Sequence, residues 1–391
     1  MTKPIKILHV FPDDKFFDPV SCYFDEIPDV ENLYYYYDID RCYQFKMIKR
    51  SDKITLFHDK KEYVKNLSRK DIQIIYFHSL PSSKYWLFNY IDSNKIVIWW
   101  SWGYDIYDSF FGLQPLIPLY KIKGLTMNWI HLIEKDSDRN KFQSLVDVLL
   151  RPYYRKMQKR VISRIDYYTP VLPIEYDLMK DFCPFFHANP FMLERGPGRY
   201  VDYEFTSKKT LGNVLIGNSL TYTNNHFDIF NCLQLRSIDI HPYKFIVPIS
   251  YGDAYGGMES FKRIAKEFPL VDNNCIYLTD FLTRDQYYGL LESITHAVFG
   301  VIRQQAMGNI LYLLRNGVKI YLYKDSLVYI YLKSLGFFIY NIEDDLTQDS
   351  MEQVLDEEKA LHNFNLVKRR NEFGKIDFIS KELSTIIKKN Q

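Results

Sequence analysis

The stretch VFGVIRQQAMGNILYLLRNGVKIYL, Val298 to Leu322, decides the fold. An apolar run ends in Arg303-Gln304-Gln305. Gly308-Asn309 then opens an amphipathic segment, and a second apolar run follows. That order reads as strand, polar loop, helix, strand. It sets a cation, two amides and a helix N-terminus at one strand end, an arrangement that suits a diphosphate.

The same alternation extends in both directions. Asn213–Ile216, Phe245–Val247, Cys275–Leu278, His296–Val301, Val318–Leu322 and Phe337–Tyr340 read as strands of the second half. Thr283-Arg-Asp-Gln286 fits a capping box, Gly336 sits where a helix C-terminal glycine belongs, and Phe378–Lys389 reads as a final helix. In the first half Ile5–Phe11, Leu33–Tyr37, Ile54–Phe57, Ile72–His78, Ile96–Trp100 and Tyr167–Val171 read as strands with helical segments between them. Asp138–Ile162 is a longer helical stretch that Pro152 either kinks or restarts. Strands alternating with helices imply α/β architecture, with two doubly wound parallel sheets in tandem. The expected boundaries are an N-terminal domain 1–195, a linker 196–210 rich in turn residues, and a C-terminal domain 211–391 whose last helix packs back on the first.

Length and charge agree. The chain of 391 residues is too long for one ordinary core. A net charge of +2 argues against a general nucleic-acid binder. The 33 tyrosines and 28 phenylalanines reflect either coding bias or an aromatic surface for sugars or lipid. No apolar run is long enough for a signal peptide or a membrane span. The five cysteines are scattered and the histidines lack ligand spacing, so reduced thiols in the cytoplasm and no metal site are expected. Neither GxGxxG nor GxxxxGK[ST] occurs, which disfavours nicotinamide enzymes and P-loop ATPases.

Three polar loops follow strands of the second half: Gly217-Asn218-Ser219, Pro248-Ile-Ser-Tyr251-Gly252 and Arg303-Gln304-Gln305. Ends of parallel strands share one sheet edge, so the loops are expected to converge, with Gly308 and Asn309 offering free N–H groups. Each loop alone also reads as a plain polar turn. In the first half, Trp99-Trp-Ser-Trp102-Gly103-Tyr104-Asp105-Ile-Tyr107 sets aromatic planes beside one carboxylate. The aromatics suit a sugar acceptor, and Asp105 would orient or deprotonate its hydroxyl; alternatively the tryptophans are core and Asp105 a cap. His9 and His78 each end a strand, and Asp13 and Asp14 are weaker candidates.

These residues carry a family resemblance. ILHVFPDD, IIYFHS, WWSWGYDIY, VLIGNSLTYTNNH, FIVPISYG and FGVIRQQAMGNILYLL resemble, in the same order, segments of the 4-alpha-L-fucosyltransferases, glycosyltransferase family 56. Asn309 and a long segment from Leu113 to Asp138 depart from that family's pattern. The resemblance implies a GT-B fold of two Rossmann-like domains facing across a cleft, and a metal-independent transfer without cofactor. It implies a nucleotide-diphosphate sugar as donor, with a TDP-linked deoxyamino hexose favoured, and an undecaprenyl-diphosphate-linked glycan as acceptor. It carries over to His9, His78 and Asp105 as catalytic residues, and to Trp102 and Gly103 beside Tyr104 as the acceptor side. On the donor side it carries over to Gly217, Asn218, Ser219, Asn225, His226, Arg303, Gln304, Gln305 and Gly308.

A lipid-linked acceptor also fits Arg151–Arg164. That segment has six basic residues, no acidic one, and a narrow apolar stripe of Leu150, Tyr154, Met157 and Val161. Arg155, Lys156, Lys159 and Arg160 would meet the inner face of the cytoplasmic membrane, unless the segment is a solvated surface helix. Two other readings are a non-catalytic nucleotide-sugar-binding protein of the same pathway and a GT-B-type epimerase or hydrolase.

Overall fold

The computed structural model describes residues 4–12, 16–38, 44–45, 47–108, 113–119, 122–135, 141–192, 204–206, 208, 210–252, 256–373 and 376–390. Asp13, Asp14 and most of the expected linker lie outside them. The chain forms two compact units. The first comprises Met1–Pro118, Lys141–Val201 and Arg370–Gln391; the second comprises Leu119–Asn140 and Asp202–Arg369.

The first unit holds one parallel sheet of β1 (Ile5–Val10), β2 (Val30–Tyr37), β3 (Ile54–Phe57), β4 (Ile74–His78), β5 (Ile96–Trp100), β6 (Tyr167–Thr169) and β7 (Asn189–Pro190). Their order is β3-β2-β1-β4-β5-β6-β7. β4 and β5 are buried along their whole length, as strands covered on both faces must be. One face packs Ile7, Ile74, Ile98 and Trp100 against Phe24 and against Ile379, Leu383 and Ile386 of the terminal helix Ile376–Asn390.

The second unit repeats the plan. β8 (Asn213–Ile216), β9 (Phe245–Pro248), β10 (Cys275–Leu278), β11 (Ile294–Phe299), β12 (Lys319–Leu322) and β13 (Tyr340–Asn341) form a parallel sheet in the order β10-β9-β8-β11-β12-β13. Between them lie His226–Leu235, Met258–Ala265, Arg284–Glu292, Met307–Arg315 and Leu327–Ser334 as helices. The capping box at Thr283 and Gln286 forms. Gly336 follows its helix with φ +85°. Strand order reverses between β1 and β4 in one sheet and between β8 and β11 in the other. Those are the switch points where open sheets of this type bind ligands.

Two elements differ from the expected layout. Leu119–Asn140, expected within the first domain, groups with the second unit. The helix Gly124–Lys135 carries Leu125 and Trp129 onto the second core, with the Trp129 ring 6.2 Å from that of Phe227. The Asp228 carboxylate accepts hydrogen bonds from the Leu125 and Thr126 backbone N–H groups at 3.1 and 2.8 Å, meeting two of that helix's free donors. Second, the helix Lys141–Ser163 continues through Pro152 and does not restart there. Among the described residues no helix is long and apolar enough to cross a membrane.

Candidate active site

In the second unit the loop after β8 is organised by buried amides. Gly217 has φ +66°, and a Cβ there would lie 2.8 Å from His226 Nε2 and 3.0 Å from Asn224 Oδ1. Only glycine tolerates that turn and that closeness. Asn224 Oδ1 accepts from the Asn218 N–H at 3.1 Å, and its Nδ2 donates to the Ser219 carbonyl at 2.8 Å.

Asn218 is left half-exposed at the sheet edge, and it joins the three loops. Its Nδ2 donates to the Tyr251 hydroxyl at 3.2 Å. Its Oδ1 accepts from Gln305 Nε2 at 3.0 Å, which also donates to Thr221 Oγ1 at 3.1 Å. The Leu220 N–H donates to the Tyr251 carbonyl at 2.8 Å. The loops after β8, β9 and β11 therefore make one polar surface. Arg303, two residues before Gln305, is half-buried, and Gln304 is 9 % exposed. Ala306, with φ +60°, starts the helix Met307–Arg315. Gly308 in its first turn is exposed, and a Cβ at that position would meet nothing within 4 Å. Asn309 is half-buried and donates to the Tyr287 hydroxyl at 3.1 Å. Exposed Tyr251 and Phe281 stand with ring centroids 6.5 Å apart.

Three residues expected to touch a donor are placed differently. Asn225 and His226 are fully buried, and Ser219 is 1 % exposed. Asn225 adopts φ +50°; its Oδ1 accepts from the Lys123 N–H at 2.7 Å and its Nδ2 donates to the Gly300 carbonyl. His226 lies edge-on to Phe261 at 5.1 Å, and burial pushes its imidazole down to about 3. These side chains shape the loop from beneath. Thr221, Thr223 and Asn224 belong to this loop network and sequence reasoning does not single them out, although all three stand within the GNSLTYTNNH segment. Alternation of small polar residues there is the only signal.

In the first unit the switch point holds a histidine pair. His9 Nδ1 and His78 Nε2 are 2.8 Å apart, and His9 Nε2 is 2.9 Å from Asn32 Oδ1. Both rings are buried. Burial pulls His9 down to about 4 and His78 well below the free-imidazole value, so both are neutral near pH 7. Asn32 stands on β2, where nothing in the sequence distinguishes it. Ser79, next to His78, is held at φ +68°, a conformation unusual for a residue with a side chain.

Asp105 is enclosed at the ends of the first sheet's strands. It is 4 % exposed. Its carboxylate accepts from the Leu80 N–H at 2.9 Å, Trp99 Nε1 at 2.8 Å and the Trp102 N–H at 2.9 Å. It thus stitches the ends of β4 and β5 to the turn before the helix Tyr104–Tyr107, the bracing arrangement that the sequence leaves open beside a role as base. Burial raises its pKa above the ordinary carboxylate value. Gly103 caps that helix with φ +94°, and the Tyr104 hydroxyl donates to Ser79 Oγ at 2.6 Å. Trp102 packs on Phe16 at 4.4 Å and, with Phe11, Phe17, Val20, Tyr34 and His78, lines a pocket at this end of the sheet.

On the helix Lys141–Ser163, Arg155, Lys156, Lys159 and Arg160 are all exposed. The apolar stripe expected beside them is buried only at Val161. Toward the other end Leu149 is 71 % and Tyr153 60 % exposed.

A scan of family models finds no match, and a comparison with curated protein sequences finds none either. Solved structures do match over nearly the whole chain. Anabaena HepE, solved in complex with UDP and glucose, superposes with a TM-score of 0.59 at 10% identity, covering 98% of this chain and 100% of that one. The alpha,alpha-trehalose 6-phosphate synthase of Burkholderia multivorans gives 0.57 at 9% identity over 100% and 97%. WaaG, a glycosyltransferase involved in lipopolysaccharide biosynthesis, gives 0.51 at 11% identity over 98% and 99%. The two parallel sheets of this chain thus have the fold of GT-B glycosyltransferases.

Proposed function

We propose that this chain is a glycosyltransferase that takes a sugar from a nucleoside-diphosphate donor held by its second unit. The observation that carries the reading is the junction of three strand-end loops at Asn218; the third of these loops also carries Arg303 and leads into the helix whose first turn holds exposed Gly308. A guanidinium and a helix N-terminus offer the positive potential a leaving diphosphate needs. The GT-B neighbours, one of them holding UDP, support it.

The finer reading rests on the segments that resemble family 56. They favour a deoxyamino hexose such as 4-acetamido-4,6-dideoxygalactose, or fucose, carried on TDP. The acceptor would be an undecaprenyl-diphosphate-linked glycan at the inner face of the cytoplasmic membrane. The exposed basic side chains of Lys141–Ser163, next to exposed Leu149, Leu150 and Tyr153, fit peripheral binding there. Transfer would proceed without metal or cofactor, the cation and helix start taking the metal's place.

The test is calorimetric titration with TDP- and UDP-sugars, followed by product analysis with and without a lipid-linked acceptor in excess EDTA. Donor-dependent glycosylation of the acceptor is expected. Free sugar released from donor alone would point to a hydrolase, and binding without turnover to a non-catalytic sensor.

A further inference from the structure

Lys123 ties together the carboxyl ends of three neighbouring strands, β8, β11 and β12, one of them through Asn225. It is far from them in sequence and belongs to the Leu119–Asn140 segment of the second unit. Its backbone N–H donates to Asn225 Oδ1 at 2.7 Å, in the loop after β8. Its ammonium pairs with the Asp325 carboxylate at 2.7 Å and lies 4.5 Å from the centre of the Tyr323 ring. Tyr323 and Asp325 both stand in the turn after β12.

The Asn225 amide carries the tie to the third strand. Its Nδ2 donates to the carbonyl of Gly300, the residue that follows β11. An N–H only donates and a carbonyl only accepts, so these two bonds fix one orientation of the amide. The fit is close: a Cβ at Gly300 would lie 2.2 Å from the Asn224 carbonyl oxygen. Asn225 itself is fully buried and holds φ +50° where the loop turns into the helix His226–Leu235. It therefore touches no ligand. Yet the loop that it ends carries Asn218, and Arg303 stands three residues beyond Gly300.

We propose that Lys123 and Asn225 are positioning residues for the donor: the Lys123 N–H, acting through the Asn225 amide, sets the loop after β8 against the end of β11. That contact fixes the spacing of Asn218 from Arg303 before a nucleotide arrives, which lowers the ordering cost of binding. The inference rests on the donor reading of this surface. The ion pair to Asp325 is the lesser tie, because its carboxylate is more than half exposed and water screens it.

Three variants separate the groups. Asn225→Gly keeps the left-handed turn and loses both amide bonds. Lys123→Pro removes the N–H together with the ammonium, and Lys123→Met removes the ammonium alone. Calorimetry with TDP and UDP is run where melting curves show each variant fully folded. Dissociation constants should rise about threefold to thirtyfold for Asn225→Gly and for Lys123→Pro. Lys123→Met should stay within about twofold. The double variant Asn225→Gly with Lys123→Pro should bind no more weakly than the weaker single one, since both break the same bond. In ¹⁵N spectra the side-chain amide resonances of Asn218 and Gln305 should move in those two variants and hold still in Lys123→Met. A folded Asn225→Gly protein with wild-type affinity makes the amide a stability element and overturns the proposal. So does Lys123→Met binding as weakly as Lys123→Pro, which would make the ammonium a direct ligand. Wild-type protein that binds neither nucleotide sinks the donor reading and this inference with it; wild-type binding that Asn225→Gly and Lys123→Pro leave intact sinks this inference alone.

Discussion

Gln305 donates a hydrogen bond from Nε2 to Asn218 Oδ1 at 3.0 Å, tying the loop after β11 to the loop after β8. Neither side chain is fixed by its own loop alone. A ligand resting on this surface meets groups whose positions are set before it arrives, which reduces the ordering cost of binding.

Arg303→Ala should weaken nucleoside-diphosphate binding at least about tenfold, since a hydrogen bond to a charged group is worth roughly 1.5–3 kcal/mol. Gln305→Leu should weaken it by a smaller factor, through loss of the tie to Asn218. Titration calorimetry with TDP and UDP measures both. An unchanged dissociation constant for Arg303→Ala removes that residue from the donor site.

Two glycines should respond in opposite ways. Gly217→Ala meets His226 at 2.8 Å in a left-handed turn and should lower stability by about 1–3 kcal/mol. Gly308 has open space around it within a helix, so Gly308→Ala should leave stability equal or raise it by up to about 1 kcal/mol. If diphosphate sits against that helix start, the same substitution weakens donor binding. Denaturant unfolding and calorimetry separate the effects; a Gly308→Ala protein of full affinity would place the phosphates elsewhere.

Asp105→Asn replaces one acceptor oxygen of a buried carboxylate by a donor that faces N–H groups. It should lower stability by about 2–4 kcal/mol, the cost of lost charge-assisted bonds at a buried site. Turnover per folded molecule should fall less than the melting temperature suggests. A variant as stable as the wild type but inactive would restore Asp105 as a group acting on substrate.

Stability should depend on pH with one sign at two buried histidines and the opposite sign at a buried glutamate. Burial holds His226 at about 3 and His296 at about 4, below the free value of 6.5. The folded second unit therefore binds fewer protons than the unfolded chain, and stability present above about pH 6.5 is lost as pH falls through those folded values. Glu175, enclosed by the Tyr107 hydroxyl and the Val171 and Leu172 N–H groups, is raised by burial from 4.5 to about 7. Its contribution is present below about pH 4.5 and lost as pH rises to about 7. In unfolding titrations His226→Phe should reduce the acid slope by about one proton, and Glu175→Gln should remove the loss toward neutrality. Identical slopes in variants and wild type would contradict the assignment.

Vesicle sedimentation tests the basic helix. Each basic residue near an anionic surface is worth about 1 kcal/mol and is screened by salt. Binding should need anionic lipid, fall with added salt and vanish when Arg155, Lys156, Lys159 and Arg160 are changed to glutamate, with nucleotide binding intact. A quadruple variant that sediments like the wild type shows an ordinary solvated face.

The strands are legible because parallel strands covered on both faces must be apolar throughout, as at IIYFH and IVIWW. The convergence of the second unit's loops follows from the rule that parallel strand ends share an edge. What pattern does not show is depth. Asn225, His226 and Asp105 are polar residues next to glycines and aromatics, and that context suits a ligand contact or a buried brace equally well. Nor does an amphipathic helix declare which core receives it, so Leu125 and Trp129 give no sign that they belong with Phe227. β7 is two residues long, too short to carry any periodicity.

The separation of Leu119–Asn140 from its sequence neighbours has a consequence for anyone who would take the molecule apart. The polypeptide passes between the two units at 118/119, 140/141, 201/202 and 369/370. No single cut yields either one whole. A fragment ending at residue 201 would carry the helix Gly124–Lys135 with its apolar face unmatched. A fragment beginning at 202 would lack that helix and trail Ile376–Asn390 without its partners. Recombination with another protein of this fold must therefore exchange two segments to move the second unit and three to move the first, so the units are inherited, expressed and engineered as one piece.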